Sequence, residues 1–144
     1  MVCEYDFTIE TYSSMGRACF HCPLNVSDCF REQCISTDGF KRAVQVVNRL
    51  FPGPSIQVCK GDTVVVNVEN DMRSGEVTSI HWHGIRQKNL NFMDGPSMIT
   101  QCPIVPRNSF QYVFRADDPG THIWHSHSAA QYAVCSLLDS IFIL

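Results

Sequence analysis

Long apolar runs are missing from this chain of 144 residues. No stretch reaches the roughly 18 apolar residues of a membrane-crossing helix, which excludes a helical span. A basic surplus is missing too. The formal net charge is −3, and the one dense run of charge is short, around Lys41-Arg42, so the electrostatic footprint of a nucleic-acid binder is absent. No secretory leader opens the sequence: Met1 is followed by Val2-Cys3-Glu4-Tyr5-Asp6, with neither a basic n-region nor an apolar h-region. Helical periodicity, internal repeats and low-complexity segments are also lacking. Disorder is excluded by a globular balance of 44% hydrophobic and 17% charged residues, spread along the whole length. The length suits one domain, here residues 1–144, able to bury a core without help from a metal.

Cysteine is what the sequence has in excess. There are eight, at positions Cys3, Cys19, Cys22, Cys29, Cys34, Cys59, Cys102 and Cys135. Disulfides persist mainly outside the cytosol, so this content points to an extracellular protein while the N-terminus does not. The reading that reconciles them places the natural start upstream of Met1. Cys19-x-x-Cys22, with Cys29 and Cys34, suggests zinc in a cytosolic setting and disulfides in a secreted one; connectivity is not legible.

Period-two alternation runs through the rest. Tyr5, Phe7 and Ile9 alternate with Glu4, Asp6, Thr8 and Glu10, so residues 3–11 read as a half-buried strand. Residues 13–34, rich in Cys, Gly, Pro, Asn and Asp, read as an irregular stapled loop. Asp38-Gly39 signals a type I′ hairpin between residues 34–37 and 40–47, and Phe51-Pro52-Gly53-Pro54 a turn. Strands are predicted at residues 55–59, at 63–69 with Val64, Val66 and Val68 on one face, and at 79–85. Phe110, Tyr112 and Phe114 mark another alternating face, followed by strands at 121–128 and 137–144. About eight short strands at regular spacing predict an all-β sandwich or barrel.

Of six histidines, five fall in two segments, Ile80-His81-Trp82-His83-Gly84 and Thr121-His122-Ile123-Trp124-His125-Ser126-His127. On a strand, side chains at i and i+2 share a face. His81 and His83 therefore project together, as do His125 and His127, while His122 is out of phase with His125 and faces the other way. Neighbouring strands lie about 4.8 Å apart, so pairing these segments gathers four imidazoles into one patch, a donor set suited to Cu, Zn, Fe or Ni. A single histidine is usually a hydrogen-bonded or surface residue, and that reading is kept for His122 and His21. Two His-x-His pairs, each flanking or following a Trp, are much harder to explain that way.

At this point the chain resembles the first domain of laccase-type multicopper oxidases, with the nearest likeness to the insect branch. The stretches that carry the resemblance are Asn48-Arg49-Leu50-Phe51-Pro52-Gly53-Pro54-Ser55-Ile56, Gly61-Asp62-Thr63-Val64-Val65-Val66-Asn67-Val68, Ile80-His81-Trp82-His83-Gly84, Met93-Asp94-Gly95, Thr100-Gln101-Cys102-Pro103-Ile104 and Gly120-Thr121-His122-Ile123-Trp124-His125-Ser126-His127-Ser128. The resemblance implies a single plastocyanin-like, Greek-key cupredoxin β-sandwich. It implies copper as cofactor, held by His81, His83, His125 and His127 as half the ligands of a three-copper cluster shared with a C-terminal domain. In such oxidases His81 would serve the type 2 copper, His83 and His125 one copper of the type 3 pair, and His127 the other. Asp94 resembles a catalytic carboxylate that helps deliver protons; alternatively it is a turn residue before Gly95. The implied reaction oxidises phenols or diphenols and reduces O2 to water in a secreted enzyme. Its implied partners are downstream cupredoxin domains, with no nucleic acid and no transmembrane segment. The family setting favours disulfides for the Cys-rich loop, and Cys102 resembles a cysteine that pairs outside this domain.

Three features depart from the pattern. No third or fourth His-x-His pair follows. Cys135 has no histidine after it, so the His2Cys arrangement of a blue copper site is missing. After Ser128 the sequence runs Ala129-Ala130-Gln131-Tyr132-Ala133-Val134-Cys135 where the family usually has Asp-Gly and a further Gly, which leaves the closing strand in question. Two other functions stay open beside the oxidase domain. One is a non-catalytic copper-binding fragment. The other is a mononuclear zinc hydrolase or lyase, since His-x-His on a strand also chelates one zinc ion.

Overall fold

The computed structural model describes residues 1–129, 131 and 138–144. Its strands are β1 (Val2–Ser13), β2 (Ala43–Val47), β3 (Ile56–Val58), β4 (Thr63–Asn70), β5 (Ile80–His83), β6 (Ser109–Arg115), β7 (Gly120–Ser126) and β8 (Leu138–Ile143). They form two four-stranded sheets in the orders β2-β1-β4-β6 and β3-β8-β7-β5. Pairing is antiparallel except for β1 with β4 and β3 with β8. The all-β architecture read from the alternation is what forms, as the two-sheet sandwich that the family resemblance implies. Helix among the described residues is confined to single turns, such as α1 (Val26–Cys29), capped by the Asn25 side chain accepting from the Ser27 N–H.

The core lies between the sheets and is built from every second residue. In β4, Val64, Val66 and Val68 are fully buried, in register with Phe114, Tyr112 and Phe110 of β6 on one side. Phe7 of β1 sits opposite Val68 on the other. The second sheet answers with Ile80, Trp82, Trp124, Ile141 and Ile143. The Trp82 ring meets Tyr112 at 5.2 Å and Phe114 at 4.9 Å between centroids, and Trp124 meets Phe7 at 4.8 Å. Each such side chain contributes about 1.5–3 kcal/mol by leaving water, and the aromatic rings make direct contact across the two sheets. The segment Phe51–Pro54 closes one edge: a Cβ at Gly53 would come within 2.6 Å of the Trp124 ring, and the Trp124 indole N–H donates to the Pro54 carbonyl at 3.2 Å.

Two expectations are revised. Asp38-Gly39 does turn the chain, with the Gly39 N–H donating to the Ser36 carbonyl, but residues 34–37 form no strand and there is no hairpin there. β2 pairs with β1 instead, from Ser13↔Ala43 to Ile9↔Val47. Ser14 takes up the intervening chain, its hydroxyl donating to the Phe40 carbonyl at 2.6 Å and its N–H to that of Arg42 at 2.9 Å. The closing strand left in question by the departure after Ser128 is present: β8 pairs with β7 on one side and β3 on the other. Cys135 lies outside the described residues. The Cys-rich loop between β1 and β2 is stapled by two disulfides, Cys19–Cys34 and Cys22–Cys29, a pairing that spacing alone did not reveal. Cys102 is a free, exposed thiol.

Candidate metal centre

The site stands on the outward face of β5 and β7. These strands pair antiparallel with His81 opposite His125 and Trp82 opposite Trp124. Alternation then divides the labour: the tryptophans turn into the core, and the imidazoles turn out. His83 ends β5, and His127 lies one residue past the end of β7. The His81 ring centroid lies 5.7 Å from His83, 5.3 Å from His125 and 5.5 Å from His127. His125 is 5.8 Å from His83 and 5.9 Å from His127. Ring nitrogens of His81, His83 and His125 all lie within 4.8 Å of one another, a tighter group that does not include His127. The patch is open on one side, with His83 and His127 exposed and His125 only 7% exposed.

Backbone carbonyls set the imidazoles. His81 Nδ1 donates to the Asp94 carbonyl at 2.7 Å and His125 Nδ1 to the Ser126 carbonyl at 3.0 Å. With the proton on Nδ1, the lone pair of each ring is on Nε2, the state in which imidazole binds metal. Burial, reinforced by the neighbouring imidazoles, pushes the His125 pKa below its usual value against the opposing pull of the Ser126 carbonyl, favouring the neutral ring a metal requires. His127 is held by its main chain: its N–H donates to the Ser79 carbonyl at 2.9 Å, and its own carbonyl accepts from the Ser79 hydroxyl at 3.1 Å.

Asp94 follows the short 3-10 turn Asn91–Met93. Besides its carbonyl contact, its carboxylate Oδ1 lies 3.4 Å from His81 Nδ1. So Asp94 is a turn residue and a neighbour of the cluster at once. Gly95 makes this approach possible: its φ is +102°, and a Cβ there would come within 2.9 Å of His81 Cα and collide outright with the Ile80 carbonyl. Behind the site the buried Ile80 N–H donates to the Tyr112 hydroxyl at 3.0 Å, and burial pushes the Tyr112 pKa up to about 12.

His122 is turned away from the cluster. Its Nε2 donates to the Asp118 carbonyl at 2.8 Å, and its Nδ1 lies 2.6 Å from where a Cβ on Gly84 would be. Gly84, with φ +93°, thus admits the His122 ring as well as the turn after His83. That long-range role is invisible in sequence, where Gly84 is only the residue following a His-x-His. His21 sits on the Cys-rich loop beside Phe20 at 4.3 Å.

Comparison with known proteins agrees with this fold. The multicopper oxidase family model matches residues 29–143. This chain belongs to the multicopper oxidases. Laccase-1 of Cryptococcus neoformans var. grubii is 53% identical over 93 residues, which is 64% of this chain and 15% of that protein. Laccase-2 of Fomitopsis schrenkii is 46% identical over 102 residues, 68% of this chain and 19% of that protein. Among solved structures, a laccase from Botrytis aclada superposes with a TM-score of 0.80 at 31% identity, covering 99% of this chain and 22% of that one. A blue copper oxidase from Nitrosomonas europaea superposes with a TM-score of 0.76 at 25% identity, covering 99% and 39%. The chain therefore spans less than a fifth of the length of these two laccase relatives, as a laccase-like cupredoxin domain of a family that binds copper. No helix among the described residues is long and apolar enough to cross a membrane.

The donor set fits the family's metal. Four imidazoles converge on one patch, two with the Nδ1 proton engaged by a carbonyl, and imidazole is a good ligand for copper.

Proposed function

We propose that this chain is the N-terminal plastocyanin-like domain of a secreted laccase-like oxidase and supplies half the ligands of its trinuclear copper cluster. The observation that carries the reading is the register His81↔His125, which turns two separate His-x-His motifs into one outward patch. His81 is the ligand of the type 2 copper. His83 and His125 hold one copper of the type 3 pair, and His127 the other. Bound copper would supply the redox chemistry by which phenols or diphenols are oxidised and O2 is reduced to water.

The chain's own groups do the rest. The Asp94 carbonyl orients His81, and its carboxylate, 3.4 Å from the same ring, is placed to hold a proton at the edge of the patch and pass it inward. The exposed side of the patch is where the downstream cupredoxin domain brings the remaining ligands. The one-electron acceptor for the phenol would be a blue copper site, for which this sequence has no His2Cys set.

The test is copper loading of the purified chain, with metal stoichiometry and the Cu(II) paramagnetic spectrum read against a His83→Ala/His125→Ala variant. Copper should bind loosely through imidazole nitrogen and be lost in the variant. Oxygen consumption with catechol should match that of the variant, because half a cluster without its one-electron acceptor does not turn over. Unchanged copper in the variant would defeat the ligand assignment. Preference for one stoichiometric zinc would favour a mononuclear site on His81, His83 and His125. Robust oxygen consumption, lost in the variant, would defeat the claim that other domains are required.

A further inference from the structure

Two cysteines outside the stapled loop converge at the end of the sandwich remote from His127. The register places them there. Val58 of β3 pairs with Ile143 of β8, and Ile143 pairs with Gly120, so Cys59 lies at the Gly120 end of β7. Cys3 lies at the same end, in register with Val64 of β4, which is itself opposite Phe114.

β1 and β3 belong to different sheets, yet the Tyr5 side chain reaches the main chain of β3. The Tyr5 hydroxyl donates to the Gln57 carbonyl at 2.9 Å and accepts from the Gln57 N–H at 3.3 Å. Cys3 is two residues before Tyr5 and shares its inward face; Cys59 is two residues after Gln57. Stepping outward from the Tyr5–Gln57 contact therefore brings Cys3 opposite Cys59. One atom bridges them: Asp62 Oδ2 accepts from the Cys3 thiol at 3.6 Å and from the Cys59 N–H at 3.0 Å.

We propose that Cys3 and Cys59 are a disulfide pair that locks the first strand to the corner between β3 and β4. Both are thiols in this structure, Cys3 half-buried and Cys59 exposed. Cys59 is the more exposed sulfur and meets an incoming disulfide first, while burial and the Asp62 carboxylate raise the Cys3 thiol above its usual pKa. The exposed Cys59 thiolate attacks a protein or small-molecule disulfide and forms a mixed disulfide. Cys3 then gives up its proton and displaces the second thiol. In sum one S–S bond forms and one breaks, and the two electrons and two protons leave on the reduced oxidant. The two disulfides of the Cys-rich loop require the same oxidising surroundings, so no special compartment is invoked. Cys102 is not a rival within the chain. It follows Gln101, which bridges to Ser97, and the Ser97 N–H donates to the His127 carbonyl, at the opposite end of the sandwich.

The staple joins strands of both sheets where several chain ends already meet. At this corner the Lys60 N–H donates to the Leu144 carbonyl, Gly61 to that of Ala116, and Ala116 to that of Asp62. It would tie down the edge of the sandwich away from the metal patch.

Mass mapping of the chain secreted from an oxidising compartment decides the matter. Free thiols are alkylated in denaturant without reductant before digestion. The expected digest contains a Cys3–Cys59 cross-linked peptide together with the Cys19–Cys34 and Cys22–Cys29 links, and Cys59→Ser leaves Cys3 alkylated. Alkyl label on both Cys3 and Cys59, in a sample whose other two disulfides are intact, would overturn the proposal. So would Cys3 linked to Cys102 or Cys135.

Discussion

In the sheet β2-β1-β4-β6 the inward residues of β4 are Val64, Val66 and Val68, and outward Asn67 bonds to polar side chains of the neighbouring strands. Asn67 donates to Glu4 and Asp6 at 2.9 Å each, and Gln111 donates to Asn67 at 2.8 Å. In the sheet β3-β8-β7-β5 the inward residues are again apolar, Ile80, Trp82 and Trp124, but the outward face of β5 and β7 carries the imidazoles His81, His83 and His125. Both sheets use the same alternation. The first spends its outer face on solvation, and the second on chemistry. Because inward and outward residues alternate on β5, the core partner Trp82 and the proposed ligands His81 and His83 are covalent neighbours, so loosening the second sheet at Trp82 should move the site.

Trp82→Ala is the sharpest way to break that comparison. Trp82 is fully buried against Tyr112 and Phe114 of the first sheet. Removing a buried Trp typically costs about 3–5 kcal/mol, more than any surface change here. Thermal or urea unfolding should show that loss, and imidazole-bound copper should fall with it. A control, Val66→Ala, sits in the first sheet, where burial is as complete but no ligand adjoins. It should lower stability while leaving copper binding by the folded fraction intact. Equal loss of copper in both variants would mean that the sheets are not divided as argued.

Gly95→Ala should do the reverse, striking the site more than the core. The new Cβ would collide with the Ile80 carbonyl at the head of β5, and the residue would be held at φ +102°. Overpacking of this kind costs about 1–3 kcal/mol. A shift of the loop that relieves it would lift Asp94 off His81. We expect a modest fall in the unfolding midpoint and a clear weakening of copper at His81. Undiminished copper affinity would show that the Asp94 carbonyl does not orient the ring.

How much of this was legible follows from the same alternation. Period two was enough to place Val64, Val66 and Val68 on one face, to project each His-x-His pair to one side, and to turn His122 away. Its limits are those of a local rule. It could not tell that His81 would face His125, since register is set by long-range packing. It missed the Asp94 carbonyl on His81 and the reason for Gly84, because both are contacts between loops and strands distant in sequence. The Asp38-Gly39 signal was a real turn wrongly given a hairpin, because Ser14 competes for the backbone groups of residues 40 and 42. Asp94 itself was legible only as a turn residue or as part of a family motif; it proves to be a turn residue in contact with the cluster.

The smallest expected effect concerns the link between the two site strands. Arg86, just beyond β5, donates to Asp118, just before β7, through Nε at 3.0 Å and through a second guanidinium nitrogen. Hydrogen bonding from Arg86, with its charge, holds the Asp118 carboxyl below the usual carboxylate range. A carboxylate with a depressed folded-state pKa adds stability that is present above its unfolded value of about 3.9. That stability is lost as pH falls through the folded-state value. Arg86 is mostly exposed, and exposed pairs contribute little, so the difference between wild type and Arg86→Ala should be slight even at its greatest. Its signature is the pH dependence rather than the size. The two unfolding midpoints should differ at neutral pH, converge as pH drops below about 4, and coincide once Asp118 is protonated in both. A gap that persisted undiminished into strong acid would show that Arg86 acts through packing of its aliphatic stem instead of through the Asp118 charge.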